Sequence, residues 1–284
     1  MTSAYAMFDL SRLGETLWSP EFEITAEATR RFAQATNDNN EDFLSGRLAP
    51  PLFAMVPVLE TMVAAKNAVT SAFAVHGEHD LVMHEPLCPG MVVRANATVV
   101  GVHARSAGVA SIIRIETHSR EGTLLNEQYL TSFVRGAELP KSVGDNAPAH
   151  MPPPPQTGTL EEVTLPLDPD QTHRFAAASG DWDAYTLDED AARALGFPSV
   201  IVHGTCTMAF AGRALIETVC GGDARRLQRF ALRFSRPLFL LPCQTLTTRI
   251  WAVEVAENRE IYGFEATDQN GDPVVTQGWA EIKR

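Results

Sequence analysis

The sequence predicts an α+β fold built twice in one chain, each copy an antiparallel sheet wrapped around a long central helix. Three observations carry this. A Pro-rich stretch divides the 284 residues nearly in half. Each half opens with a short helix, a polar turn centred on an aspartate and a longer apolar helix. Each then continues as apolar runs separated by turn residues, and such a repeat at the scale of the half-chain takes precedence over local assignments.

In chain order, TAEATRRFAQATNDNNEDF predicts a helix and a turn centred on Asp38. Met55, Val58, Leu59, Met62 and Val63 follow at the spacing of a buried helical stripe. Strands are expected near HDLVMHEPLCPG, MVVRANATVVGV and VASIIRIETHS, and a Glu121-Gly122 turn leads into LLNEQYLTSFVRG. Next, GAELPKSVGDNAPAHMPPPPQTG gathers Pro, Gly and polar residues. Its run Pro152 to Pro155 favours extended polyproline geometry, which suits a linker. The expected organisation is therefore 1–137, an N-terminal domain; 138–158, a linker; and 159–284, a C-terminal domain.

The second half repeats the pattern. DPDQTHRFAAASGDWDAYT predicts the same helix and turn, centred on Asp181. Met208, Ala211, Leu215 and Val219 keep helical spacing and end at Gly221 and Gly222, a natural stop. RFALRFSRPL, QTLTTRIWAVEVA and REIYGFEATD read as strands, and Asn270-Gly271 is a strong hairpin signal before PVVTQGWAEI. Pro86-Leu87 and Pro237-Leu238 sit at matching points. A sheet curled around one apolar helix buries that helix and leaves its outer face to water. This is the hotdog architecture, and two in tandem make a double hotdog.

A net charge of −12 argues against a nucleic-acid or anionic-membrane surface, either of which needs a dominant basic field. MTSAYAMFDLSRLGE lacks the basic region and apolar run of a signal peptide. No uninterrupted apolar stretch is expected to span a bilayer. Cys88, Cys206, Cys220 and Cys243 are scattered and read as small buried hydrophobes in a reducing compartment. A cytoplasmic protein is expected.

The segment SGDWDAYTLDEDAARALGFPSVIVHG, Ser179 to Gly204, carries the chemistry. On its own an aspartate in a Ser-Gly-Asp turn is a turn former or cap. A His-Gly pair opening a helix presents free backbone N–H groups at the positive end of the dipole. The order of these parts closely resembles the signature of MaoC-type R-specific enoyl-CoA hydratases, S-G-D-x-N-P-x-H and then G-F-x-x-P-I-x-H-G. The resemblance covers nearly the whole length. LAPPLFAMVP and VHGEHDLVMHEPLCPGM look like the degenerate N-terminal hotdog of double-domain members.

The resemblance implies that Asp181 acts on a water or on the proton beside a thioester carbonyl, with burial bringing its pKa nearer neutrality. It implies an acyl thioester held at His203 and Gly204, the Gly204 N–H facing the oxygen as it becomes enolate-like. Glycine there lets the acyl group approach the backbone closely. His203 reads as a packing residue at the helix N-terminus. In the family an aspartate and a histidine share one water and add it across the C2–C3 double bond of a trans-2-enoyl thioester. Here Asp181, Asp183, Ala184 and Thr186 stand for the family's Asp, Asn, Pro and His. Threonine hydrogen-bonds water but cannot take its proton near neutral pH. Asp183, Tyr185 and Thr186 are therefore the candidate partners of Asp181.

Asp38 and Asn40, with Phe43 at the histidine position, read as a decayed site, with Phe43 and Phe53 enlarging an acyl cavity. His76, His79 and His84 fit no zinc template, and strand alternation is expected to split them between faces, so no metal is expected. No G-x-G-x-x-G or G-K-[ST] loop is present. Arg225, Arg226, Arg229, Arg233 and Arg236 cluster at the start of the second half's sheet. They suit a CoA or phosphopantetheine phosphate, or equally the solvent face of an edge strand.

The expected function is hydration or dehydration of a bulky enoyl or 3-hydroxyacyl thioester of CoA or a carrier protein, in lipid, fatty acid or polyketide metabolism. The alternatives are a hotdog isomerase or cyclase and a non-catalytic acyl-thioester-binding subunit. No cofactor is expected beyond CoA or phosphopantetheine as part of the substrate. A homodimer or a hotdog partner subunit is the expected assembly.

Overall fold

The computed structural model describes residues 7–153 and 161–284. Residues 1–6, from the segment read for a signal peptide, and Pro154 and Pro155 of the proline run lie outside the described residues. Strands β1 (Thr16–Trp18) and β2 (Phe22–Glu23) precede helices α1 (Ala26–Ala35) and α2 (Glu41–Leu44). A 3-10 segment, Pro51–Val58, leads into α3 (Leu59–Val69). There follow β3 (Val75–Met83), β4 (Val92–Arg105), β5 (Gly108–Ser119), β6 (Leu124–Arg135) and the two-residue β7 (Val143–Gly144). The second half runs through β8 (Glu161–Pro166), α4 (Gln171–Ser179), α5 (Glu189–Ala194) and α6 (Gly204–Thr218). It ends with β9 (Leu227–Phe234), β10 (Thr245–Val255), β11 (Arg259–Thr267) and β12 (Pro273–Lys283).

Two compact units result, and the same antiparallel path occurs in each. The first has the strand order β1-β4-β5-β6-β3, with β7 also pairing β4, and α3 packs on β1, β4 and β5. The second has the order β8-β10-β11-β12-β9, and α6 packs on β8, β9 and β10. Each is a hotdog unit, and the tandem pair is the double hotdog expected. In each unit the first long strand returns to pair with the last. Strands β1 and β8 carry no clear sequence signal; both are short, and they pair with β4 and β10.

Side-chain alternation explains the cores. On β4, Val93, Ala95, Ala97 and Val99 are fully buried, and Ile115 and Ile113 of β5 stand opposite Ala97 and Val99. In the second unit Phe230 and Phe264 stack with ring centroids 5.2 Å apart. Trp251 pairs with Gly263 across β10 and β11, and a methyl at position 263 would collide with the indole. That close approach is the reason for glycine there.

The compact units partition the chain differently from the division at 138–158. The first comprises Met1–Phe22, Pro57–Glu85 and Val92–Ala149; the second comprises Glu23–Val56, Pro86–Met91 and His150–Arg284. Helix α1 therefore belongs with the second sheet. Phe32 of α1 packs edge-on against Phe175 of α4, with centroids 5.5 Å apart, and against Phe53 at 5.7 Å. The expected linker is anchored at residues it shares with the second unit. The Trp251 indole N–H donates to the Pro153 carbonyl at 3.0 Å, and the His150 ring lies 3.0 Å from the Gln277 carbonyl.

Three local expectations are corrected. Val63 is 38 % exposed rather than part of the buried stripe. Pro57 stands within the 3-10 segment, so α3 starts at Leu59 and turns Met62, Ala65 and Val69 inward instead. The run Pro51–Val69, with mean hydropathy 1.4 over its most apolar window, is long and apolar enough by composition to cross a bilayer, although 56 % of that window is buried within the fold. Finally, Cys243 is exposed, while Cys206 and Cys220 are buried.

Candidate active site

All the residues that assemble around Asp181 belong to the second unit. Helix α4 stops because Gly180 adopts a left-handed conformation, φ 81°, and donates its N–H to the Ala176 carbonyl. The chain then turns. Ser179 Oγ accepts from the Asp181 N–H at 3.2 Å, and Asp181 Oδ1 accepts from the Asp183 N–H at 3.4 Å. A single 3-10 turn, Ala184–Thr186, buries Thr186 and leads through α5 to an extended segment. There Val202 N–H donates to the Leu238 carbonyl and Leu240 N–H to the Val200 carbonyl, at 2.8 and 3.0 Å. This short ladder delivers His203 to the residue position just ahead of α6.

The His203 imidazole is 3 % exposed and lies 5.1 Å from the Phe175 ring. Its Nε2 sits 3.0 Å from the Asp181 carbonyl oxygen and 2.9 Å from Thr186 Oγ1. A carbonyl oxygen only accepts, so Nε2 carries the proton. The Thr186 hydroxyl donates to the Asp183 carbonyl at 2.7 Å and accepts from His203. One side chain thus ties the aspartate turn to the start of α6. The other ring nitrogen, Nδ1, is buried without a hydrogen-bond partner, and the His203 side chain does not cap α6.

Burial is the main cause of the raised pKa of Asp181, and the neighbouring Asp183 adds to it; His203 and the Asp183 N–H oppose it. Burial likewise lowers the pKa of His203, opposed by Asp181 and Asp183. The neutral ring is therefore favoured. Tyr185 donates its hydroxyl to Asp183 Oδ2 at 2.9 Å, and burial with Asp183 beside it drives the phenol pKa far up. Tyr185 stays protonated. The six residues Asp181, Asp183, Tyr185, Thr186, His203 and Gly204 lie in one connected segment. The link through His203, a packing residue by sequence alone, is visible only in the fold.

The arginine cluster has other partners. Arg225 pairs with Asp223 at 2.8 Å and Asp42 at 3.5 Å, Arg226 with Glu260, Arg229 with Glu281 and Arg236 with Asp272. A phosphate at any of these four would compete with a carboxylate of the chain. Arg233 lies on β9, opposite Thr276 of β12.

The Asp38 turn is a joint. Asp38 Oδ1 accepts from the Asn40 N–H at 2.9 Å, while Asn40 caps α2 through the Asp42 N–H and donates its amide to the Gly222 carbonyl at 2.7 Å. Phe43 and Phe53 are fully buried. They are core side chains.

The histidines of β3 depart from expectation. Alternation should separate His76 from His79, but a bulge between His76 and Glu78 brings His79 Nδ1 within 3.1 Å of His76 Nε2. His79 Nε2 lies 3.0 Å from Gln128 Oε1, and the Gln128 amide donates to Asn126 Oδ1. The pair is the start of a buried polar chain. Among the described residues no group of three or more His, Cys, Asp or Glu is arranged to hold a metal ion.

Comparison with known proteins supplies the family. Residues 150–271 match the MaoC like domain, and residues 12–124 match the FAS1-like dehydratase domain region. The peroxisomal enoyl-CoA hydratase 2 of Arabidopsis thaliana is 30 % identical over 220 residues, covering 73 % of this chain and 68 % of that protein. The chain belongs to the MaoC-like hydratase/dehydratase family. A MaoC-like dehydratase from Phytophthora capsici superposes with a TM-score of 0.84 at 21 % identity, covering 97 % of this MaoC-like chain and 98 % of that one, a likeness of fold. The mouse peroxisomal multifunctional enzyme type 2 is 24 % identical over 245 residues, 81 % of this chain. The MaoC-like chain spans about a third of that relative's length, 32 %.

Proposed function

We propose that this MaoC-like chain is a hydro-lyase that reversibly adds water to an enoyl thioester, or removes it from a 3-hydroxyacyl thioester, carried on CoA. Names among its relatives support that class: an enoyl-CoA hydratase 2 and a 3-hydroxyacyl-thioester dehydratase. The observation that carries it is the raised pKa of the Asp181 carboxyl, tied through its own backbone carbonyl to the residue that opens α6. A carboxyl shifted toward neutrality exchanges protons more readily with carbon and water. Gly204 N–H, at the first position of a 15-residue helix, is the donor for the thioester oxygen as negative charge develops on it. Asp183 keeps the Tyr185 hydroxyl protonated and oriented. Thr186 spends both hydrogen-bonding functions on its neighbours and serves as a brace. The bulky acyl group stays part of this proposal, as does a carrier protein in place of CoA.

The test is loss of the enoyl-CoA double-bond absorbance with short, long and cyclic acyl chains. Turnover of at least one class is expected, and Asp181→Asn should lower it roughly a hundred- to ten-thousandfold. An absence of turnover across all three classes defeats the proposal. One observation favours a second reading: Thr186 offers no proton acceptor where the family motif has histidine. A lone carboxylate suffices for isomerisation, which would appear as an Asp181-dependent product of unchanged mass.

A further inference from the structure

The geometry points to His203 Nδ1 as the second proton-transfer group of this site, in the role that Thr186 leaves empty. This rests on the hydratase reading above. The His-Gly pair otherwise serves only to present backbone N–H groups, with the imidazole as packing. Four observations separate His203 from a packing residue. Its tautomer is set, because Nε2 faces a backbone carbonyl and a hydroxyl whose own proton is committed to Asp183. The bare nitrogen is therefore Nδ1. That lone pair is buried and has no protein partner, although a polar atom so placed ordinarily finds one. It is not used to cap α6, the local role open to a side chain at that position. And the same ring is bonded to the residue whose carboxyl is the site's other titrating group.

An imidazole with one nitrogen anchored and the other bare is a proton acceptor of fixed direction. Burial disfavours the imidazolium and keeps the resting ring neutral, with its lone pair available; Asp181 and Asp183 from the turn oppose that effect, and His173 of α4 adds to it weakly.

In hydration, the water oxygen bonds to C3 as Nδ1 takes one of its protons. The C2–C3 π electrons move toward the thioester carbonyl, and protonated Asp181 delivers its proton to C2. A proton passing through solvent from the imidazolium to the Asp181 carboxylate resets both groups. In dehydration the carboxylate takes the C2 proton and the imidazolium protonates the departing hydroxyl. Atoms and charge balance in both directions with no further reactant.

The experiment compares two variants of the full chain. His203→Gln keeps an N–H donor at about the reach of Nε2 and removes the ring nitrogen. His203→Asn also shortens the anchor. If Nδ1 moves a proton, kcat should fall roughly a hundred- to ten-thousandfold in both, with KM for the enoyl-CoA changed less than threefold. If the ring only positions Asp181, His203→Gln should stay within about threefold of wild type while His203→Asn falls, and the inference is overturned. A wild-type chain without turnover defeats the hydratase reading itself, a separately recognisable outcome. Should the variants fail to fold, the 15N shifts of the wild-type imidazole decide. A bare Nδ1 with protonated Nε2 at neutral pH supports the assignment, and a bare Nε2 refutes it.

Discussion

Thr186 is 2 % exposed, and its hydroxyl donates to the Asp183 carbonyl and accepts from His203. Replacing Thr186 with valine keeps the shape and removes one of two partners from each neighbour: His203 N–H keeps the Asp181 carbonyl, and the Asp183 carbonyl keeps the backbone N–H of residue 186. Thr186→Val should therefore lower stability by only about 0.5–1.5 kcal/mol per bond lost, read as a reduced urea midpoint, while Thr186→Ser stays close to wild type. His79 makes a second prediction. Burial lowers its pKa to about 4 from the ordinary value of 6.5, with the Gln128 contact and Asp80 opposing. His76 is lowered as well, by burial and by His79. A folded-state pKa below the unfolded one means that the unfolded chain takes up the proton first as pH falls. The stabilisation is present above pH 6.5 and is lost between about 6.5 and 4, by roughly 3 kcal/mol from His79. Urea unfolding at pH 7 and pH 4.5 measures it, and a His79→Gln chain should show a flatter profile.

At the scale of elements, the end of α4 matters most, because it aims Asp181. Gly180 holds φ 81°, a region where a side chain costs about 1–2 kcal/mol. Gly180→Ala should lower the melting temperature by a few degrees and lower turnover more than stability alone explains, since any relief of strain rotates the turn carrying Asp181. Equal retention of turnover and folded fraction would show that the turn tolerates such rotation. The start of α6 is set by longer-range pairing. The bridge between Ile201 and Phe239, with the ladder on either side of it, holds the residues that precede His203. The repeated order of the long strands was legible because each hairpin carries its own alternation and turn residues. The short strands β1 and β8 were not, because three and six residues leave too little pattern to distinguish them from loop.

For the molecule as a whole, the decisive fact is that residues 23–56 belong to the second compact unit. Arg174 of α4 donates to the Gln34 carbonyl at 2.8 Å and to Asn37 Oδ1 at 3.0 Å. Gln171 lies 3.2 Å from the Asn37 amide, and the Arg213 guanidinium donates to the Asn37 carbonyl. With the Phe32–Phe175 contact, these bonds make the first-half helix part of the site's support. A fragment of residues 159–284, the domain a sequence boundary suggests, should therefore lack a cooperative melt. The full chain should melt cooperatively, and Phe32→Ala in it should cost about 3–5 kcal/mol. A sharp, reversible transition in the isolated fragment would show that the extra segment is dispensable.

By itself the sequence determined the duplication, the long strands, the aspartate turn and the helix that follows it. Each of these rests on periodicity or turn chemistry confined to neighbouring residues. Tertiary structure alone decided three things: the α1–α4 contact, the His76–His79 approach across a bulge and the tautomer of His203. The physical reason is reach. The bonds that set the His203 ring span 17 and 22 residues, and they exist only after the chain has closed on itself. Asp181 could be picked out before folding was considered; its partner could be recognised only once a hydroxyl and a carbonyl had claimed one nitrogen and left the other bare.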